Sequence, residues 1–184
     1  EHRPGSWARD GRALLFTEAR TGFTVGDIMQ VTIDDKPTIT PVLAGPALDG
    51  SPALSPDGRW LVHISVEDQP RLFIRPFPHV NADRVPVTAE PGSVPVWSAD
   101  GRPLYFRNPG LTTQFAVSVD GTGQKLLIGK PAAVIGLRNE RNAFFNMALP
   151  PVRGRFLSPV IPADELPFNE YRLVLNWTEE LKAR

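Results

Sequence analysis

Cysteine is absent from the 184 residues, which excludes a disulfide framework, a thiolate nucleophile and a cysteine-ligated zinc. Net charge is absent too: 20 Lys+Arg balance 20 Asp+Glu, and no segment concentrates one sign. No nucleic-acid-binding surface is therefore expected. No apolar run approaches the roughly 18 residues that span a bilayer, so membrane insertion by this segment is not expected. No secretory leader pattern opens the chain, and Glu1 in place of Met points to a processed or truncated piece of something longer. Histidine is scarce: His2, His63 and His79 have no carboxylates at metal-ligand spacing, so no metal or cofactor is expected. What the chain has in abundance is proline and glycine, 20 and 15 residues. That density breaks long helices and suits short strands with tight turns. A hydrophobic share of 41% is enough to build a core around them.

One phrase occurs three times. It reads Ser6-Trp7-Ala8-Arg9-Asp10-Gly11-Arg12-Ala13-Leu14-Leu15-Phe16, then Ala53-Leu54-Ser55-Pro56-Asp57-Gly58-Arg59-Trp60-Leu61-Val62-His63, then Val96-Trp97-Ser98-Ala99-Asp100-Gly101-Arg102-Pro103-Leu104-Tyr105-Phe106. Trp7, Leu54 and Trp97 share one column, as do Leu14, Leu61 and Leu104, and the spacings are 47 and 43 residues. An eroded fourth copy starts at Pro151-Val152-Arg153-Gly154, with Arg153 in place of Asp.

The phrase has a mechanism. Pro56 suits the first central position of a type I turn, and Asp57 takes the second and caps nearby amides. Gly58 then supplies the left-handed residue of a bulged hairpin. Each copy predicts a hairpin whose second strand is Arg12–Thr17, Arg59–Ser65 or Arg102–Arg107. Third strands follow at Asp27–Ile33, Arg71–Phe77 and Gln114–Val119, and fourth strands at Ile39–Leu43, Arg84–Thr88 and Lys125–Ile128. Four short antiparallel strands per 40–50 residues is roughly the size of a propeller blade. The expectation is an all-β propeller of about four blades, near residues 5–45, 50–90, 93–136 and 142–184, the last without its closing strand.

These residues resemble the Pro-Asp-Gly repeat of TolB-like, WD-repeat-like six-bladed β-propellers, with Pro52 to Leu61 and Pro95 to Phe106 closest to the pattern. Ala99 replaces the proline in the third turn. Arg71-Leu72-Phe73-Ile74-Arg75-Pro76-Phe77-Pro78 looks like a strand common in propellers fused behind bacterial Ser/Thr protein kinases. Leu173-Val174-Leu175-Asn176-Trp177-Thr178-Glu179-Glu180-Leu181 is similar to the tail that ends many of them. The resemblance implies the C-terminal part of a six-bladed ring, held on the extracytoplasmic face through an upstream membrane helix and reporting to a cytoplasmic kinase. It equally admits a free periplasmic TolB-like protein-interaction scaffold. A prolyl-oligopeptidase-type propeller is the third reading, and it requires a hydrolase domain beyond Arg184, which the terminal-looking tail argues against.

No kinase motif and no Gly-x-Ser-x-Gly elbow is present in the sequence. Asp10, Asp57 and Asp100, each followed by Gly11, Gly58 or Gly101, are structural turn residues and not a carboxylate ring. Arg12, Arg59 and Arg102 are expected to be solvated or salt-bridged along blade edges. Gly123 to Lys130 lacks phosphate-loop spacing, and Pro131 stands where Ser/Thr is needed. Asp120-Gly121-Thr122-Gly123 reads instead as a hairpin turn. His63, in the column of Phe16 and Phe106, is expected as a satisfied core histidine, and Trp7 and Trp97 as packing between blades. Phe77 and Phe168, flanked by prolines, are the candidates for rim contacts. No catalytic residue emerges, and the expected role is non-catalytic: binding a protein, peptide or small-molecule ligand, with self-association possible through open sheet edges.

Overall fold

The computed structural model describes residues 1–20, 24–123 and 125–136, and among them all regular elements are strands. The first unit is β1 (His2–Trp7), β2 (Ala13–Ala19), β3 (Gly26–Thr32) and β4 (Ile39–Leu43). The second is β5 (Leu48–Leu54), β6 (Trp60–Val66), β7 (Pro70–Pro76) and β8 (Val85–Pro86). The third is β9 (Ser93–Trp97), β10 (Pro103–Arg107) and β11 (Thr113–Asp120), followed by β12 (Leu127–Ile128) and β13 (Ala132–Gly136). Each unit is an antiparallel meander in chain order. The fourth repeat and Phe168 lie outside the described residues.

The three turns are closed by the same bonds. The amides of Gly11, Gly58 and Gly101 donate to the carbonyls of Ala8, Ser55 and Ser98 at 2.9, 2.8 and 3.0 Å. The amides of Arg12, Arg59 and Arg102 donate to Oδ1 of Asp10, Asp57 and Asp100 at 2.9, 3.1 and 3.2 Å. The glycines have φ of 71°, 75° and 72°, the left-handed region where a β-carbon is costly. A β-carbon added at Gly11 meets nothing within 4 Å, so substitution there tests chiefly backbone conformation, whereas one at Gly58 comes into van der Waals contact with Arg9 at 3.5 Å. Gly11→Val and Gly58→Val are each expected to cost about 1–3 kcal/mol. Urea midpoints equal to the parent's would contradict the turn assignment.

The units fan about a common side. Their first strands touch, β1 with β5 and β5 with β9, whereas β4, β8 and β12 make no comparable contact with one another. That is the arrangement of propeller blades, with first strands innermost. One cross-blade bridge, Gly26 opposite Asp49, ties β3 to β5 and joins the first two sheets. Two outer strands differ from expectation. β8 is confined to Val85–Pro86, with one further bond beyond it from the Val87 amide to the Leu72 carbonyl at 2.9 Å. In the third blade, β12 and β13 lie end to end along β11, with Ile128 opposite Val119 and Gly136 opposite Thr113. Gly129, Lys130 and Pro131 interrupt them, so the outer strand runs past Ile128.

Alternation along the strands decides which side chains fill the seams. Leu15, Ile28 and Leu43 of blade 1 pack on Leu54, Leu61 and Val80 of blade 2. Val62, Ile64, Leu72 and Ile74 of blade 2 pack on Trp97, Leu104, Phe106, Val117 and Val119 of blade 3. Each buried aliphatic or aromatic side chain contributes about 1.5–3 kcal/mol. Trp97 is 6% exposed, and its indole Nε1 donates to the Ala53 carbonyl across the seam at 3.1 Å. Trp7 departs from the expected packing and is 56% exposed. The repeat columns account for this: Leu54 and Trp97 face the preceding blade, and no described sheet covers the corresponding face of blade 1. There the register aligns Trp7, Leu14, Val31 and Ile39 in one apolar row.

Candidate functional site

In an antiparallel meander the turn after the first strand and the turn after the third lie at the same end. The Asp57 and Asp100 turns therefore share a rim with the Asp120-Gly121-Thr122 turn that follows β11. Between blades 2 and 3 this rim opens into a cleft of about 710 Å³. Trp60, Trp97, Val119, Leu127 and Ile128 form its apolar walls, and Asp57, Arg59, Asp100, Arg102 and Asp120 its charged lip. Leu127 is 64% exposed there.

Local bonds hold the lip in shape. Ser55 and Ser98 each donate a hydroxyl to Oδ1 of the aspartate in their own turn, at 2.6 Å. Arg59 donates Nε to Asp57 Oδ2 and Nη2 to the Gly121 carbonyl, both at 2.8 Å, and so ties the turn of one blade to that of the next. Gly121 is required by close approach, since a β-carbon there would collide with the Trp60 indole. Thr122 donates its amide and hydroxyl to Asp120 Oδ1 at 3.0 and 2.6 Å.

These bonds set the charge state. Burial pushes the Asp57 carboxyl up, but hydrogen bonds from Ser55 and Arg59 and the Arg59 charge outweigh it, leaving its pKa below the ordinary 3.8. The Ser98 hydroxyl and Arg102 amide lower Asp100, and the Thr122 hydroxyl and amide lower Asp120. A carboxyl whose pKa falls on folding stabilises the fold above its unfolded pKa and loses that contribution as the pH drops through the folded value. Stability is therefore expected to hold from neutrality down to about pH 5 and to decline below about pH 4. Replacing Asp57, Asp100 and Asp120 together by Asn should flatten part of that decline in urea midpoints taken across pH. An undiminished acid slope would contradict the assignment.

A second polar group lies inside the seam of blades 1 and 2. His63 is 0% exposed. Arg75 donates Nε to its Nε2 at 3.1 Å and Nη1 to the Val80 carbonyl at 2.8 Å. Because guanidinium only donates, Nε2 carries the lone pair and Nδ1 the proton. Nδ1 sits 3.2 Å from the Ile64 carbonyl and 3.3 Å from Asp49 Oδ1. The Asp49 contact is a close dipolar approach and not an aligned hydrogen bond, for Oδ1 meets no hydrogen-bond geometry. Burial raises the Asp49 carboxyl, yet the close approach of His63, the Ser65 hydroxyl and the Arg75 charge bring it below 3.8. His63 is thus the satisfied core histidine that its column predicts.

Asp10, Asp57 and Asp100 cap their turns, and the last two also face the cleft. Phe77, a rim candidate in the sequence, follows β7 directly and is half-buried, packed against the cluster of Leu15, Ile28 and Leu61. Trp60, Asp120 and Leu127, which wall the cleft, carried no signal as site residues. Among the described residues no group of three or more His, Asp or Glu could hold a metal ion, and no helix is long and apolar enough to cross a membrane.

No family model matches the sequence, and no curated protein does. Solved structures do resemble it. A TolB structure from Agrobacterium tumefaciens matches with a TM-score of 0.53 at 19% identity, over 72% of this chain and 50% of that one. A periplasmic gluconolactonase from Pseudomonas aeruginosa matches with a TM-score of 0.50 at 17% identity, over 71% of this chain and 38% of that one. The chain spans half the length of the first and less of the second, and its fold is that of a TolB-like β-propeller.

Proposed function

We propose that the chain is part of a non-catalytic, extracytoplasmic propeller that recognises a protein partner through the rim cleft between blades 2 and 3. The observation that carries this reading is the cleft itself. Its volume of about 710 Å³ and its apolar walls under a charged lip suit a short peptide segment, and packed sheets hold both sides rigid. The fold supports the same reading, since a propeller offers preset turns on a stiff frame. The extracytoplasmic placement follows the structural neighbours, of which one is periplasmic by its own description. A finer reading, the sensor domain of a Ser/Thr protein kinase, is favoured by the sequences Arg71–Pro78 and Leu173–Leu181. The uncut reading frame separates the two: a kinase domain and membrane helix for the sensor, a cleavable leader alone for the scaffold.

Binding is tested on the chain as it stands. Short peptides are expected to change the emission of Trp60 and Trp97 saturably and to be recovered intact by mass spectrometry. Peptides recovered cleaved or modified, or no saturable change with any of them, would contradict a binding role.

A further inference from the structure

We infer that the cleft accepts a basic side chain, lysine or arginine, flanked by apolar residues in an extended segment of a protein partner; this rests on the reading that the cleft is a recognition site. The argument begins with the walls. Trp60, Leu127 and Ile128 offer apolar surface that a water-filled lip does not need, and the four- or three-carbon stem of a basic side chain covers such surface while its charged head stays at the rim.

The charges then select the head. Five charged side chains line the cleft, three carboxylates and two guanidinium groups. Arg59 and Asp57 neutralise each other through their 2.8 Å contact. That leaves Asp100 and Asp120 against Arg102 alone. Each of these aspartates lines the cleft and engages its own turn through Oδ1, so Oδ2 is not used by those turn bonds. Both stay ionised across the physiological range. The remaining lip is therefore net negative and complementary to an ammonium or guanidinium group, and poorly suited to an anion.

Three pentapeptides with blocked termini, identical except for a central lysine, glutamine or glutamate, provide the probe, followed by tryptophan emission. The lysine peptide is expected to bind about tenfold more tightly than the glutamine peptide, a difference of about 1.4 kcal/mol, and to weaken with added salt. Asp100→Asn and Asp120→Asn keep the turn-capping oxygen and remove the charge. Together they are expected to erase the lysine preference in a protein that still melts cooperatively, with a midpoint lowered only by the loss of the two charges. Leu127→Ser should weaken all three peptides alike. Preference for glutamate, or equal binding of the three, overturns the basic selectivity and leaves the recognition site standing. Lysine preference that survives the double substitution places the attraction elsewhere and overturns the inference. No saturable binding of any of the three overturns both it and the reading beneath it.

Discussion

Replacing Trp97 by alanine is expected to cost about 3–5 kcal/mol, whereas the same change at Trp7 should cost under about 1 kcal/mol. The two residues occupy one repeat column, so local propensity cannot separate them. Trp97 is buried in the seam with blade 2 and donates its indole N–H to the Ala53 carbonyl. Its removal leaves a large cavity and takes away the hydrogen bond that crosses the seam. Trp7 occupies the face of blade 1 that no described sheet covers, and is 56% exposed. Urea midpoints of the two variants give the answer. Similar losses at both sites would mean that a further layer buries Trp7 or that Trp97 does not sit in a seam.

The second large effect concerns a substitution that the repeat pattern makes look harmless. His63→Phe restores the residue found at Phe16 and Phe106, yet it is expected to destabilise by about 3 kcal/mol. Phenylalanine cannot accept from Arg75 Nε, nor donate toward the Ile64 carbonyl and Asp49. Arg75 would remain as a half-buried cation whose Nε has lost its acceptor, and Asp49 as a carboxylate short of a neighbour. His63→Phe combined with Arg75→Val, the residue of Val31 and Val117 in that column, should recover part of the loss. A neutral or stabilising single variant would show that the network contributes nothing to the seam.

The parts of this fold legible from the sequence are those whose cause is local. The three turns rest on an aspartate, a glycine and an amide within a few residues of one another, so the chain carries their whole mechanism. β4 falls on Ile39–Leu43 as predicted, because Asp34-Asp35-Lys36-Pro37 precedes it and Gly45-Pro46 follows it. β13 was not legible: the Ala132-Ala133-Val134-Ile135-Gly136 run is too short to show alternation and follows Gly129-Lys130-Pro131, which reads as a break, and its pairing with β11 makes it a strand. The Asp49–His63–Arg75 group was half legible. The histidine's place in an apolar column marked it as buried, but its partners come from two other strands, β5 and β7. The one signal was Arg75 standing where Val31 and Val117 stand in the other units. The cleft was hidden for a similar reason, since it exists only where turns of two blades meet. Asp57 and Asp100 were recognised as turn residues with no hint that they would face a common space with Asp120.

The central claim is that the three Asp-Gly-Arg turns are equivalent corners stacked blade on blade. A β-carbon on Gly58 would lie 3.5 Å from Arg9 Cβ, and one on Gly101 would lie 3.3 Å from Pro56 Cδ, so each turn abuts its predecessor in the same place. The first separation is within the roughly 3.5–4.5 Å that a disulfide requires, and the chain has no cysteine of its own to interfere. Oxidation of Arg9→Cys/Gly58→Cys, run beside Arg9→Cys/Gly101→Cys, is therefore the most direct measurement. Rapid intramolecular disulfide formation in the first pair and none in the second is the predicted result. No link in the first pair, or equal linking in both, would contradict the stacked-blade account.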